Sequence, residues 1–160
     1  MPKHSAGVLM YRGEGAALEL LLVRPGGPFW AKKDLGAWSI PKGEYEPDEE
    51  PLACARREFA EELGTNAPDG DFLELGAVTQ PGRKTIVAFG VAGDFDPRQL
   101  TSNLFEMEWP PRSGRMQSFP EVDRAAWFAP DAAREKILLR QVPFIDRLLS
   151  QLACSAPKRA

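Results

Sequence analysis

Two stretches near the start of the chain, Ser5–Tyr11 (SAGVLMY) and Leu18–Arg24 (LELLLVR), are almost unbroken apolar runs of strand length. Runs without polar alternation suit strands covered on both faces, so they predict central strands of a sheet, joined through Gly13-Glu14-Gly15. Pro25-Gly26-Gly27-Pro28 then breaks the chain. Trp38-Ser39-Ile40 reads as a short strand, and Pro41-Lys42-Gly43 as a turn after it. Further on the period changes. Leu52, Ala55, Phe59 and Leu63 fall on one stripe at helical spacing. Asp48 is placed to cap that helix, Pro51 suits its first turn, and Gly64 can end it in a left-handed cap.

Beyond it, Pro68-Asp69-Gly70 predicts a turn. Phe72–Thr79 and Lys84–Ala92 alternate well enough to form a hairpin around Pro81-Gly82. Leu104–Trp109 predicts a strand, residues 110–115 a loop carrying Arg112 and Arg115, and Ala125–Phe128 a last short strand. Asp131–Leu139 and Val142–Leu152 read as helices, and Cys154–Ala160 as a disordered tail. There is no internal repeat and no linker, so residues 1–153 are expected to form one domain.

Between the helical stripe and solvent stand Glu58, Glu61 and Glu62, at i, i+3 and i+4. A solvated acidic face is the plain explanation. Against it, Glu58 and Glu62 are a like-charge i,i+4 pair, which costs a few tenths of a kcal/mol, where a solvated helix usually alternates signs. Clustered carboxylates raise one another's pKa unless a cation neutralises them. A hard divalent ion with oxygen ligands is the natural remedy, and Mg²⁺ suits a site that also holds phosphate oxygens and water.

The stretch from Gly43 to Thr65 resembles the Nudix signature, Gly-x5-Glu-x7-Arg-Glu-U-x-Glu-Glu-x-Gly-U, where U is a bulky apolar residue. Gly43, Glu49, Arg57, Glu58, Phe59, Glu61, Glu62 and Gly64 fall in register, and only Thr65 departs, at a packing position. The resemblance implies an α+β fold, an α/β/α sandwich with a mixed β-sheet packed between helices. It also implies a hydrolase that cleaves a nucleoside diphosphate linked to another moiety, through attack of water activated by Mg²⁺ or Mn²⁺. Carried onto these positions, Glu58, Glu61 and Glu62 are metal ligands together with the backbone carbonyl of Lys42. Glu58 is the first choice for the base, Arg57 orients the carboxylates by pairing with Glu49, and the Lys42 side chain reaches phosphate. Glu121-x5-Trp127 is similar to a segment of the diadenosine tetraphosphate hydrolases that carries a further catalytic acid, which makes Glu121 a candidate, with Glu106 and Glu108 as competitors.

Substrate contacts are sought in the loop Phe29–Asp34 and around it. Trp30 and Lys32 form either a surface loop with a buried anchor or a base-stacking, phosphate-steering lip, and Trp38 and Arg112 are further candidates. The run Trp38-Ser-Ile-Pro-Lys-Gly-Glu-Tyr-Glu-Pro47 looks like the dinucleoside polyphosphate branch, which makes those compounds or nucleoside triphosphates the leading substrates. Pro81, sixteen residues past the signature, is similar to a marker of the ADP-ribose branch, so nucleotide sugars stand second. A non-catalytic nucleotide- or protein-binding module is the alternative from another class.

Composition narrows the rest. The 160 residues suffice for one core, and a net charge of −3 gives no case for a nucleic-acid polymer as partner. No apolar run approaches a membrane span, and Met-Pro-Lys-His is unlike a signal peptide, so a cytoplasmic protein is expected. Cys54 and Cys154, a hundred residues apart, read as reduced thiols. The one histidine, His4, stands near the start, which leaves neither a histidine-based nucleophile nor a zinc site well supported. A homodimer is compatible with all of this.

Overall fold

The computed structural model describes residues 3–155. Its main sheet is built from β1 (Lys3–Arg12), β2 (Glu19–Pro25), β3 (Lys42–Glu44), β4 (Leu73–Gln80), β5 (Lys84–Ala92) and β8 (Val122–Phe128). The order is β4-β5-β1-β2-β8, with β3 also paired to β1. β1 and β5 run parallel and the other pairs antiparallel, so the sheet is mixed. One helix, α1 (Pro51–Leu63), covers one face; α2 (Pro130–Lys136) and α3 (Val142–Ser155) lie on the other. The expected α/β/α sandwich is the observed one.

Strand alternation sorts the core into two layers. Ala6, Val8 and Met10 of β1, with Leu21 and Val23 of β2, pack with Cys54, Ala55, Phe59 and Leu63 of α1. Leu9, Leu20 and Leu22, one residue out of phase, pack with Ala133, Phe144, Ile145 and Leu148 from α2 and α3. The two apolar runs are therefore central strands covered on both sides.

β1 and β2 pair only at Tyr11↔Leu20 and Arg12↔Glu19. Past that point they diverge, and residues 38–44 fill the opening. Ser39 exchanges backbone hydrogen bonds of 2.8 Å with Val23 of β2, and the Val8 N–H donates to the Pro41 carbonyl at 3.1 Å. Lys42–Glu44 then pairs with Gly7–Ser5 of β1. This corrects two expectations. Trp38-Ser39-Ile40 makes isolated bridges, not a strand, and the predicted turn at Lys42–Gly43 is β3 itself.

Other boundaries also move. The N-cap of α1 is Glu50, without a side-chain cap bond, and not Asp48. Gly64 does end the helix, at φ +78°, and a Cβ there would stand 2.6 Å from the Thr101 carbonyl. A strand unseen in the sequence, β7 (Met116–Pro120), pairs with β6 (Leu104–Glu108) as a separate two-stranded ribbon. The second predicted helix stops at Lys136, and a 3₁₀ turn at Leu139–Gln141 leads into α3. α3 runs to Ser155, so the first two residues of the expected disordered tail are helical. Residues 156–160 lie outside the described residues.

Gln141 is fully buried. Its Oε1 accepts the Ile40 N–H at 3.1 Å, and its Nε2 donates to Ser39 Oγ at 2.9 Å. It thus fixes the segment that enters β3. Replacing it by alanine strands buried polar groups, at a cost of about 1–3 kcal/mol. Gln141→Ala should accordingly lower the melting temperature by several degrees, read by circular dichroism, and an unchanged midpoint would show that Gln141 is not what secures residues 39–40.

Candidate active site

The acidic face of α1 looks onto the loop that the sheet's opening holds in place. Gly43 and Glu58 meet there at close range. A Cβ on Gly43 would lie 2.0 Å from the carboxyl carbon of Glu58, so only glycine lets this carboxylate rest against the strand. Glu62 Oε2 accepts the backbone N–H of Lys42 at 3.1 Å. Two successive residues of β3 thereby receive two carboxylates one helical turn apart.

Arg57 ties the acids together. Its Nε and Nη2 donate to the two oxygens of Glu49 at 3.1 and 3.0 Å, the forked pairing that guanidinium and carboxylate favour. Its Nη1 donates to Glu58 Oε1 at 2.9 Å and stands 3.6 Å from Glu61. These carboxylates hold the guanidinium pKa above its usual value, the hydrogen bond from Glu49 contributing most. The expected pairing of Arg57 with Glu49 is present.

The electrostatics show an unneutralised cluster. Burial pushes Glu62 up to about 8; the Lys42 ammonium opposes this and Glu58 and Glu121 add to it. Glu58 is raised by burial and then by Glu61, against the pull of Arg57. Glu121 is raised by burial and by Glu61. It enters from the loop before β8, where its carbonyl accepts the Gly26 N–H at 3.0 Å. Glu106 and Glu108 stand instead on the outlying ribbon, and Glu108 accepts the Arg112 backbone N–H at 2.6 Å. Glu121 lies outside that ribbon, at the entry to β8, and feels the charge of Glu61 on α1.

The donor set is all hard oxygen, which fits Mg²⁺ or Mn²⁺ and not a soft metal. As the side chains stand, no group of three or more His, Cys, Asp or Glu among the described residues is drawn into one coordination shell. Glu58 and Glu61 turn to Arg57, and Glu62 to the Lys42 amide. Cys54, buried in the same helix, donates to the carbonyls of Gly43 and Glu44, and burial raises its thiol to about 11. It is a packing residue.

The other sequence candidates lie apart. Trp38 is 2% exposed, with its indole N–H donating to Asp34 at 2.9 Å, in the layer beneath α2 and α3. This corrects its reading as a substrate contact: the ring is core. Lys32 lines a cavity on that same side. Trp30 is half-buried in the loop, with the Lys33 ammonium 5.1 Å from its ring. Arg112 occupies the exposed tip of the β6–β7 ribbon at φ +60°. The ribbon packs on the Pro25–Pro28 turn through Phe105 against Gly27, and Trp109 against Phe29 at 5.7 Å. Sequence reasoning missed this contact: the alternation of Leu104–Trp109 marks an apolar side but not its partner, and the Pro25–Pro28 turn carries no periodic signal.

Comparison with known proteins bears on family and fold. No curated protein sequence matches the chain. Among solved structures, a C. elegans Ap4A hydrolase binary complex is similar at TM-score 0.64 and 17% identity, over 94% of this chain and 98% of that one. The NUDIX domain of Shewanella oneidensis NrtR complexed with ADP ribose gives 0.62 and 16%, over 95% and 89%. The C-terminal domain of mouse MUTYH, in complex with human PCNA, gives 0.58 and 18%, over 100% and 95%. At such identities these likenesses establish the fold alone. The family profile described as NUDIX domain matches residues 1–148. With that match and a full set of signature carboxylates around Gly43, the chain belongs to the NUDIX domain family and is a hydrolase acting on phosphoanhydrides.

Proposed function

We propose that the chain is a Mg²⁺- or Mn²⁺-dependent pyrophosphohydrolase of nucleoside diphosphate-linked compounds, with dinucleoside polyphosphates or nucleoside triphosphates as substrates. The observation that carries this reading is the packing of the Glu58 carboxylate against Gly43 and of Glu62 onto the Lys42 N–H, with burial raising the pKa of both acids. Such a group is under-neutralised by protein alone and complementary to a divalent cation. Bound by Glu58, Glu61, Glu62 and the Lys42 carbonyl, the cation would mask phosphate charge and activate water.

The chain's own residues then have separable tasks. Glu58 Oε1 is occupied by Arg57, while Oε2 has no protein donor among the described residues and can take a proton from the attacking water. Burial and then Glu61 raise its pKa, which makes it a stronger proton acceptor than an exposed carboxylate. Arg57 keeps Glu58 and Glu61 in line with Glu49. The Lys42 ammonium, already close enough to lower the pKa of Glu62, can pair with a phosphate oxygen. Glu121, whose charge adds to the raising of Glu58 and Glu62, would serve as a further acid beside them. Pro81, the marker for the nucleotide-sugar alternative, sits in the exposed turn between β4 and β5, as a plain hairpin turn explains. The dinucleoside polyphosphate reading is therefore preferred.

Three measurements test this. Glu61→Gln, at a half-exposed position, should lose several orders of magnitude in Mg²⁺-dependent turnover of a panel of dinucleoside polyphosphates, nucleotide sugars and nucleoside triphosphates, with an unchanged melting curve. Near wild-type rates would remove Glu61 from the site. Arg57→Gln should cost about 10–100-fold, the usual penalty for losing a residue that orients ligands.

The third concerns stability. The folded-state pKa of Glu62, about 8, lies above its ordinary 4.5, so its contribution is complete below the lower value and lost as pH rises through the higher. In EDTA the melting temperature should fall between pH 5 and pH 8, and Mg²⁺ should raise it more at pH 8 than at pH 5. A flat profile, equally indifferent to Mg²⁺, would contradict the assignment of Glu62.

A further inference from the structure

On the face of the sheet away from α1 lies a cavity of about 370 Å³, within the range of small-ligand pockets. Of its apolar lining, Trp38, Ala126 and Phe128 belong to the core layer under α2 and α3, and Ala31 comes from the loop. None of Glu58, Glu61, Glu62 or Glu121 lines it. The sheet stands between this cavity and the carboxylates of α1.

Its polar lining is cationic. Arg24, Lys32, Lys33, Arg124 and Lys136 contribute, against one carboxylate among the described residues, Asp34. Arg24 and Arg124 are opposite each other in the β2–β8 register, so two guanidinium groups from distant parts of the chain meet at one place. Two of the cations are compensated. Arg24 is forked onto Asp123 at 3.1 and 3.0 Å, and Lys136 is paired with Asp34. Asp34 is held below the usual carboxylate range by Lys136 first and then by the Trp38 indole, so it stays ionised and committed to them. Lys32, Lys33 and Arg124 have no carboxylate partner among the described residues.

The walls are fixed independently of any ligand. Trp38 is locked by Asp34 on its edge and by Phe128 at 5.1 Å in a T-shaped contact, while the exposed Arg124 guanidinium lies 5.8 Å over its ring. With its ring faces occupied by protein, Trp38 offers no platform for a base. What remains open is a set of three cations around a rigid floor, in a chain whose net charge is −3. Concentrating like charge in this way is unfavourable unless a polyanion offsets it, and phosphate is the anion suited to combined Arg and Lys contacts.

We propose that this cavity is a second site, separate from the hydrolytic one, which binds the phosphate groups of a small polyphosphate anion through Lys32, Lys33 and Arg124. The bound group is either an inorganic diphosphate or the phosphate tail of a nucleotide, and its recognition requires no metal.

Calorimetric titration of the full chain with inorganic pyrophosphate in EDTA tests this, because a metal-free acidic cluster repels the same anion. Wild-type protein should bind one equivalent, more weakly as salt is raised. The exposed double substitution Lys33→Gln/Arg124→Gln should weaken binding at least tenfold with an unchanged melting temperature, and Glu61→Gln should leave it intact. Repeating the titration with ADP separates the two sources: equal affinity assigns the anion alone, tighter ADP binding a nucleotide. Absence of saturable binding in EDTA would overturn the proposal, as would binding that survives the double substitution or disappears in Glu61→Gln. Since no metal or turnover enters the readout, failure here leaves the hydrolytic reading untouched, and failure of that reading leaves this site.

Discussion

The contact on which the rest of the site depends is the one between Gly43 and the carboxylate of Glu58. A helix packed on a sheet normally keeps its polar face away from the strands. Here the missing side chain at Gly43 opens a gap into which Glu58 fits, and Lys42, one residue earlier, gives its N–H to Glu62. Packing on the Phe59 side of α1 sets the height of the helix over β1, and the divergence of β1 from β2 sets the path of β3 beneath it. A carboxylate cluster of this kind is costly without a counter-charge, and Arg57 supplies only part of one. The fold therefore holds open an electrostatic deficit on this face of α1.

How much of this the sequence disclosed follows from where the information resides. α1 was legible because its determinants are local: a 3.6-residue stripe, Pro51 at the start and Gly64 at the end. The central strands were legible because burial on both faces writes a continuous apolar run. β3 was not, because Pro41 and Gly43 are turn formers and the segment is extended only by the unpaired edge that β1 offers. β7 was missed for the opposite reason. Met116–Pro120 is mostly exposed and shows no apolar/polar alternation, and only its partner β6 makes it a strand. Asp48 had the chemistry of a cap, yet the helix begins where Pro51 places it.

The same distinction separates the site residues. The signature carries the acids of α1 in a fixed spacing, so their grouping could be read directly. Glu121 lies far along the chain, and its place beside them comes from the antiparallel return of β8 and the Gly26 contact. Trp38 illustrates the limit of residue type as a guide. An indole with a nearby acid suits a stacked base or a core anchor equally well, and the difference is which sheet face it occupies, a matter of parity settled by the bridges to Val23 and Ile137 around it.

Net charge hid the far-face cavity altogether. A value of −3 argues against polyanionic partners only if charge is spread evenly, and the lining of this cavity departs locally from the average. Acids gather on the α1 side, while Lys32, Lys33 and Arg124 gather on the α2 and α3 side. A packed layer is about 10 Å thick, longer than the screening length of ~8 Å in physiological salt, so neither group discharges the other through solvent. Asp34 and Asp123 each neutralise one cation locally, which permits Arg24 and Lys136 to be largely buried without spoiling the field of the remaining three. Two opposite electrostatic surfaces can thus coexist on one small sheet, and under the two proposals made above they would meet phosphate by different physical routes, one through a recruited cation and the other directly.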